Sequence, residues 1–146
     1  MYASPERGGQ GRYADAIECF TKAIEKNPRF AFAYHNRGSA YGKIKNYAQA
    51  TADFSQAIAL DANYATAYSG RGFAYYGMEA YERAAADFSK AISINPNYAE
   101  AYYGRGNVYM TLGHYEEALR DYEKALSLNP ALDAARANRD MILAAK

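Results

Sequence analysis

The side chains that could support catalysis are few and widely spaced. His35 and His114 are the only two histidines and Cys19 is the only cysteine in 146 residues. The histidines fall in separate predicted helical units, so they cannot share a metal site within one chain. Cys19 has no histidine near it, and catalysis needs a nucleophile, an acid–base group or a metal held in a set geometry. We therefore expect no enzyme, no metal site and no cofactor.

A second set of ionisable residues is regularly spaced. Three arginines are each followed sixteen residues later by an aspartate: Arg37 and Asp53, Arg71 and Asp87, Arg105 and Asp121. An Arg–carboxylate pair can form two parallel hydrogen bonds and fix the register of two helices. We expect structural ion pairs here; independent surface charges, which would contribute little, are the alternative.

The arginines belong to a segment that recurs. Tyr34-x-x-Arg37-Gly38-x-x-Tyr41 reappears after 34 residues and again after 68. A second block follows each copy, first as Tyr47, Ala50, Phe54 and Ala57, and the block occurs alone at 13–23. Apolar and small residues recur at steps of three and four, which predicts helices. The predicted spans are 12–26, 30–44, 47–60, 64–78, 81–94, 98–112, 115–128 and 132–145.

Residue sizes indicate how these helices pack. Glycine within a helix costs about 1 kcal/mol relative to alanine, so Gly38 and its two equivalents need a reason. We expect close approach of the second helix, with Ala50 receiving the contact and Phe54 filling the gap to the next unit. The repeated tyrosines, such as Tyr34 and Tyr41, are assigned to the core. One helix pair cannot bury its apolar face alone, so the pairs must stack.

The pattern resembles the tetratricopeptide repeat family, whose period is 34 residues. The resemblance covers residues 11–132 and implies an all-α fold, an α-solenoid of helix-turn-helix repeats with right-handed superhelical curvature. It divides the chain into an incomplete N-terminal repeat with only its second helix (1–30), full repeats at 31–64, 65–98 and 99–132, and a C-terminal capping helix (133–146). Three departures are Tyr for the first aromatic Trp, Arg for Leu before the glycine, and Ala62 for a usual Pro.

Composition limits the partners. The chain has 17 basic and 16 acidic residues and a net charge of +1, which favours neither nucleic acid nor an anionic membrane. No stretch approaches the roughly 20 apolar residues of a membrane span, so we expect a soluble, cytoplasmic protein. A lone cysteine rules out an internal disulfide, and we expect Cys19 to be a small buried residue.

The start of the chain departs from the repeat. Residues 1–10 contain Pro5, Gly8 and Gly9 and lack the first-helix block, so part of the apolar side of the helix at 12–26 has no partner. The chain is then a fragment of a longer array, or its first ten residues fold over the gap, or two chains cover each other's ends. The last case would make a homo-oligomer through the exposed face of the N-terminal helix.

In the resembling family, the first helix of each repeat lines a concave groove that binds peptides or partner proteins. The resemblance places the candidate contacts at Phe32, His35, Asn36, Ser39, Ser69, Phe73, Tyr76, Tyr103, Asn107 and Met110. Aromatic and amide side chains together suit a peptide or a partner helix. Phe73, Tyr76 and Tyr103 break the repeat, and binding and packing are equally open for them.

Many family members hold the C-terminal carboxylate of chaperones in a clamp of Lys and Asn, then Asn, then Lys and Arg. The matching positions here are Met1, Pro5, Asn36, Thr66 and Gly70, or, one repeat later, His35, Ser39, Gly70, Glu100 and Gly104. Only Asn36 fits, so we expect a protein-interaction scaffold without clamp-type chaperone binding. The alternatives are a self-assembly module that joins through its repeat ends, and a targeting domain of a larger protein.

Overall fold

The computed structural model describes residues 8–146, which form eight α-helices and no strand. The helices are α1 (Gly8–Lys26), α2 (Ala31–Lys43), α3 (Tyr47–Leu60), α4 (Ala65–Gly77), α5 (Tyr81–Ile94), α6 (Ala99–Thr111), α7 (Tyr115–Leu128) and α8 (Asp133–Ala144). Seven of them begin and end within one residue of the predicted bounds. Expectations that concern residues 1–7, including the clamp positions Met1 and Pro5, lie outside the described residues.

The first helix is longer than predicted. It begins at Gly8, although Gly8, Gly9 and Gly11 disfavour a helix. Gly11 is buried, so packing outweighs its low helix propensity at this position.

Each helix packs chiefly on its neighbours in the chain. The hairpins α2–α3, α4–α5 and α6–α7 stack in order, with α1 against α2 and α8 against α7. This arrangement is the predicted helical solenoid, in which each hairpin buries what its neighbour leaves uncovered.

Close contact within each hairpin depends on a glycine of the first helix. A Cβ at Gly38 would lie 3.2 Å from the carbonyl oxygen of Ala50, as predicted. At Gly72 and Gly106 the nearest atoms belong instead to the rings of Phe88, at 3.0 Å, and Tyr122, at 2.8 Å. The contact at Gly38 fits the expectation that an alanine receives it, whereas the nearest contacts at Gly72 and Gly106 are made by the large ring.

The Arg–Asp pairs form in all three full repeats. Arg71 donates from Nε and an Nη to the two carboxylate oxygens of Asp87, at 2.8 and 2.9 Å. The pairs Arg37–Asp53 and Arg105–Asp121 have the same geometry, with every distance 2.8 Å. Each aspartate is buried, and the hydrogen bond to Asp87 raises the pKa of Arg71 above its ordinary value.

The same arginines also connect successive repeats. The second Nη of Arg71 donates to the hydroxyl of Ser55 in the preceding repeat, at 3.0 Å. Arg37 and Arg105 make the equivalent bond to Thr21 and Ser89, each at 3.1 Å. Sequence reasoning missed this link, although a hydroxyl residue sixteen positions before each arginine was the available signal.

Turns of two kinds join the helices. Between the two helices of a hairpin, Lys45, Glu79 and Gly113 adopt left-handed backbone conformations, with φ of 65°, 62° and 83°. Between hairpins, the side-chain oxygen of an Asn or Asp accepts from a backbone N–H two residues later. This turn begins at Asn27, Asp61, Asn95 and Asn129. Asp61 forms it without a following proline, so Ala62 does not disturb the fold.

One face of α1 remains uncovered by any residue in 10–146. Cys19 is exposed, whereas Asp53, at the same place in the next unit, is 5 % exposed. Ala16 and Ala23 are half-buried, whereas their equivalents Ala50 and Ala57 are fully buried. The expectation of a buried Cys19 is therefore wrong, because burial at this position needs a first helix that the described residues lack.

Candidate peptide-binding groove

The first helices of the full repeats form the inner side of the solenoid. α2 contacts α4, and α4 contacts α6, whereas no comparable contact joins α3, α5 and α7 to one another. An array whose first helices lie closer together than its second helices curves towards the first helices. The concave groove is accordingly the surface that α2, α4 and α6 share.

One stripe of α2 faces this groove. Phe32, Asn36, Ser39 and Lys43 recur at steps of four, three and four residues, which places them on one side of a helix. Phe32 is 54 % exposed, and Ser39 and Lys43 are also exposed. The stripe is therefore exposed at Phe32, Ser39 and Lys43 and half-buried at Asn36.

A cavity of about 420 Å³ opens between the first two full repeats. We call it the α2–α4 cavity. Its lining consists of Ser39, Gly42, Lys43, Tyr47, Phe54, Gly70, Phe73 and Ala74. Ser39 and Phe73 are candidate contacts from the sequence, and Phe73 is 37 % exposed while its ring meets that of Phe88 edge-on. Phe73 thus both packs and offers an accessible aromatic wall.

Two glycines of the cavity lining have opposite surroundings. The ring of Phe54 lies so close beneath Gly70 that a Cβ there would be 2.5 Å from its Cζ. A Cβ at Gly42, in contrast, would have no atom within 4 Å, so the space beside it is open. Tyr47 and Phe54 come from α3 and lie in the cavity lining, where Phe54 is only 2 % exposed. Sequence reasoning assigned both residues to packing and missed this second role.

His35 and Ser69 are occupied within the fold. The His35 ring stacks on Tyr64 at 5.0 Å and meets the edge of Phe54 at 5.6 Å. Its Nδ1 lies 2.9 Å from the side-chain oxygen of Asn36. Ser69 is 2 % exposed and hydrogen-bonded to Tyr98. Ser69 is therefore almost fully buried beneath the groove surface.

The C-terminal half of the groove is filled by its own side chains. The Tyr122 hydroxyl donates to Oδ1 of Asn107 at 2.6 Å, and Asn138 donates to the same oxygen at 3.1 Å. Tyr103 and Met110 pack against the cluster that contains Tyr122. Asn107, Tyr103 and Met110 therefore have packing partners within the fold, and all three are half-buried. Burial raises the pKa of Tyr122 well above its usual value.

Tyr76 also contacts neighbouring side chains of the fold. Its hydroxyl lies 2.8 Å from that of Thr111, and its ring meets Tyr81 at 5.5 Å between centroids. Of the three aromatic residues that break the repeat, Phe73 alone lines the α2–α4 cavity.

The described residues offer no metal site and no membrane span. Within 8–146, no three His, Cys, Asp or Glu side chains are grouped so that they could hold a metal ion. No helix in the same range combines the length and apolar character needed to cross a bilayer.

Family models match most of the chain. A tetratricopeptide repeat model matches residues 99–132, and a TPR repeat model matches 9–45, 43–79 and 78–113. No curated protein sequence matches this chain significantly.

Solved structures of high similarity are themselves repeat arrays. The crystal structure of MamA is 25 % identical and has a TM-score of 0.78, over 98 % of this chain and 91 % of that one. The first TPR of Spaghetti (RPAP3), bound to the HSP90 peptide SRMEEVD, is 28 % identical with a TM-score of 0.76, over 79 % and 91 %. The second TPR domain of human RPAP3, in complex with the HSP70 peptide SGPTIEEVD, is 30 % identical with a TM-score of 0.72, over 77 % and 93 %.

Proposed function

The chain belongs to the tetratricopeptide repeat family, whose members are generally non-enzymatic protein-interaction scaffolds, and from that premise we propose that it binds a segment of a partner protein in its concave groove. The observation that carries the proposal is the α2–α4 cavity. Its apolar walls and open rim have the character of a site that takes up a side chain of a ligand.

The groove around the cavity supports this role. Phe32 and Phe73 are exposed aromatic residues on neighbouring first helices. Accessible aromatic residues beside a pocket are the usual anchors of a peptide interface. Asn36 and Ser39 lie on the same stripe and can donate to or accept from a peptide backbone.

The groove does not have the charges of a carboxylate clamp. At the matching positions in the described chain only Asn36 is of the required type, and Glu100 carries the opposite charge to the clamp lysine. Two cationic pairs are needed to neutralise a carboxylate-rich tail. We therefore infer that this chain does not use the acidic chaperone tails that the RPAP3 domains hold.

Blocking the α2–α4 cavity tests the proposed function. A random peptide library displayed on phage is selected on the purified chain, and the selected peptides are then titrated by calorimetry. Gly42→Phe should abolish their binding, because its side chain enters open space beside the cavity. Ala59→Phe is the matched control, since Ala59 is exposed on α3 and outside the cavity lining. Equal affinity for both variants would refute the groove as the binding surface.

The clamp inference has its own test. The HSP90 peptide SRMEEVD, titrated into the chain by calorimetry, should show no clamp-type affinity, and any binding should be at least tenfold weaker than its binding to the first TPR of RPAP3. The first TPR of RPAP3 is the positive control, because its structure holds that peptide. Micromolar affinity for this chain would contradict the inference.

The uncovered face of α1 favours a second candidate function, self-assembly. Ala16, Cys19 and Ala23 are accessible there, although their equivalents are buried in every full repeat. Burying such a face in a second copy would recover the lost apolar contact.

Sedimentation velocity in a reducing buffer tests self-assembly. Wild-type protein at about 100 µM should form a dimer that Cys19→Glu dissociates, because the substitution places a charge in the centre of the face. Ala14→Glu, an exposed position on another side of α1, should leave the dimer intact. A wild-type monomer throughout the concentration series would exclude this candidate.

A further inference from the structure

We propose that the α2–α4 cavity recognises a linear segment in which one large apolar residue lies beside an acidic residue. This inference rests on the proposed function and specifies the chemistry of the ligand. The two parts of the motif come from two observations: the shape and lining of the cavity, and the charge of the helices around it.

The cavity has room for one anchor. Its volume of about 420 Å³ is near the lower end of the range for ligand pockets, roughly 300–1,000 Å³. Phe73 provides the accessible apolar wall from α4, and the buried residues Phe54 and Ala74 form the base of the cavity. A single aromatic or long aliphatic side chain, inserted against this wall and base, would remove most of its apolar surface from water.

The remainder of the groove limits the footprint. Between α4 and α6, Tyr76 is hydrogen-bonded to Thr111, and on α6 Asn107 accepts a hydrogen bond from Tyr122. These side chains already occupy one another's hydrogen-bonding groups, so a ligand gains little by extending over α6. The decisive contacts of the ligand therefore lie over α2 and α4.

The charge around the cavity is positive. Neither α2 nor α4 contains an aspartate or glutamate. Their arginines, Arg37 and Arg71, are each neutralised by an aspartate of the same repeat. Among the residues that line the cavity, Lys43 is the only lysine, arginine, aspartate or glutamate. It forms no ion pair with any residue of 8–146. An acidic residue of the ligand would provide the missing counter-charge.

Charge reversal at Lys43 tests this ligand class. Random twelve-residue peptides are selected by phage display on the wild-type chain, on Lys43→Glu and on Gly42→Phe, all at low salt. Lys43 is exposed, so its reversal should leave the helix content by circular dichroism unchanged. Lys45→Glu is the matched control, because Lys45 is an exposed lysine outside the cavity lining.

The expected result has three parts. Wild-type selection enriches peptides with a large apolar residue and an acidic neighbour. Such a peptide loses about fivefold in affinity on Lys43→Glu but not on Lys45→Glu, and its Glu→Gln version is insensitive to both changes. Replacing the apolar residue with alanine weakens binding at least tenfold.

Two other results would overturn the inference, and they can be told apart. Peptides that Gly42→Phe blocks, but that show no acidic preference and no response to Lys43→Glu, would leave the groove standing and reject the ligand class. Peptides that Gly42→Phe does not weaken, or the absence of any enriched peptide, would reject the proposed function together with this inference.

Discussion

Removing one member of an Arg–Asp pair should destabilise the array well beyond the effect of a surface ion pair. The pair of Arg71 and Asp87 is the best test, because it lies in the central repeat and also bonds Ser55 of the preceding one. Arg71→Leu leaves the carboxylate of Asp87 buried without its partner. Asp87→Ala leaves a guanidinium that can still turn towards water.

The magnitude follows from the burial of the two side chains. Breaking a fully buried pair costs about 3–5 kcal/mol, whereas an exposed pair is worth about 0–1 kcal/mol. Here the arginine side chain is 20 % exposed and the aspartate side chain is 8 % exposed. We therefore expect a loss of about 2–3 kcal/mol for Arg71→Leu and about 1–2 kcal/mol for Asp87→Ala.

Urea unfolding followed by far-ultraviolet circular dichroism measures these losses. The double variant should lose about 1–2 kcal/mol less than the sum of the single variants, because the second substitution removes the charge that the first one strands. Asp140→Ala is the control: its pair with Arg139 is exposed, so the change should cost less than about 0.5 kcal/mol. Additive effects, or a loss below about 0.5 kcal/mol for Arg71→Leu, would refute the reasoning.

Further predictions concern the turns, the glycines and the buried tyrosine. Lys45→Gly and Glu79→Gly should each raise the free energy of unfolding in urea by up to about 1 kcal/mol, because each relieves left-handed backbone; a loss would contradict this. Gly104→Ala should cost about 2 kcal/mol, since its Cβ would lie 2.4 Å from a buried ring, whereas Gly42→Ala should not destabilise. The folded-state pKa of Tyr122 is raised, so the unfolded chain deprotonates first and stability falls as the pH rises above about 10. In urea titrations, Tyr122→Phe should reduce that fall, and identical slopes would contradict it.

The repeated features of the fold could be predicted from the sequence because each is a local rule used three times. A glycine in the first helix, a small residue in the second and an aromatic residue between hairpins fix the distances at which helices pack. The close contact at Gly38 and the packing of Phe54 between two hairpins could therefore be predicted from the sequence. The environment of Cys19 could not be predicted in this way. At its position in the repeat a residue is buried when a first helix packs on the second helix, but no first helix covers α1 in the described residues.

The candidate site was less predictable because it depends on contacts of side chains that differ in type from one repeat to the next. Ser69 and Asn107 stand at groove positions, but Tyr98 and Tyr122 occupy their polar groups. The available signal was Tyr122 itself, since a tyrosine at the place where the other three units have Phe20, Phe54 and Phe88 needs a partner for its hydroxyl. The α2–α4 cavity depends on Gly42, beside which the space is open, and on Gly70, which lets α4 pack directly on the ring of Phe54 from the preceding repeat.

The central claim is that ligands bind on the first helices, over the α2–α4 cavity. Amide chemical shifts in ¹H–¹⁵N spectra, recorded while a phage-selected peptide is titrated into labelled protein, test it most directly. The account predicts the largest shifts at Ser39, Gly42, Gly70 and Phe73, with little change at Ala59 and Arg83 on the second helices. Shifts confined to the second helices, or to α1, would contradict it.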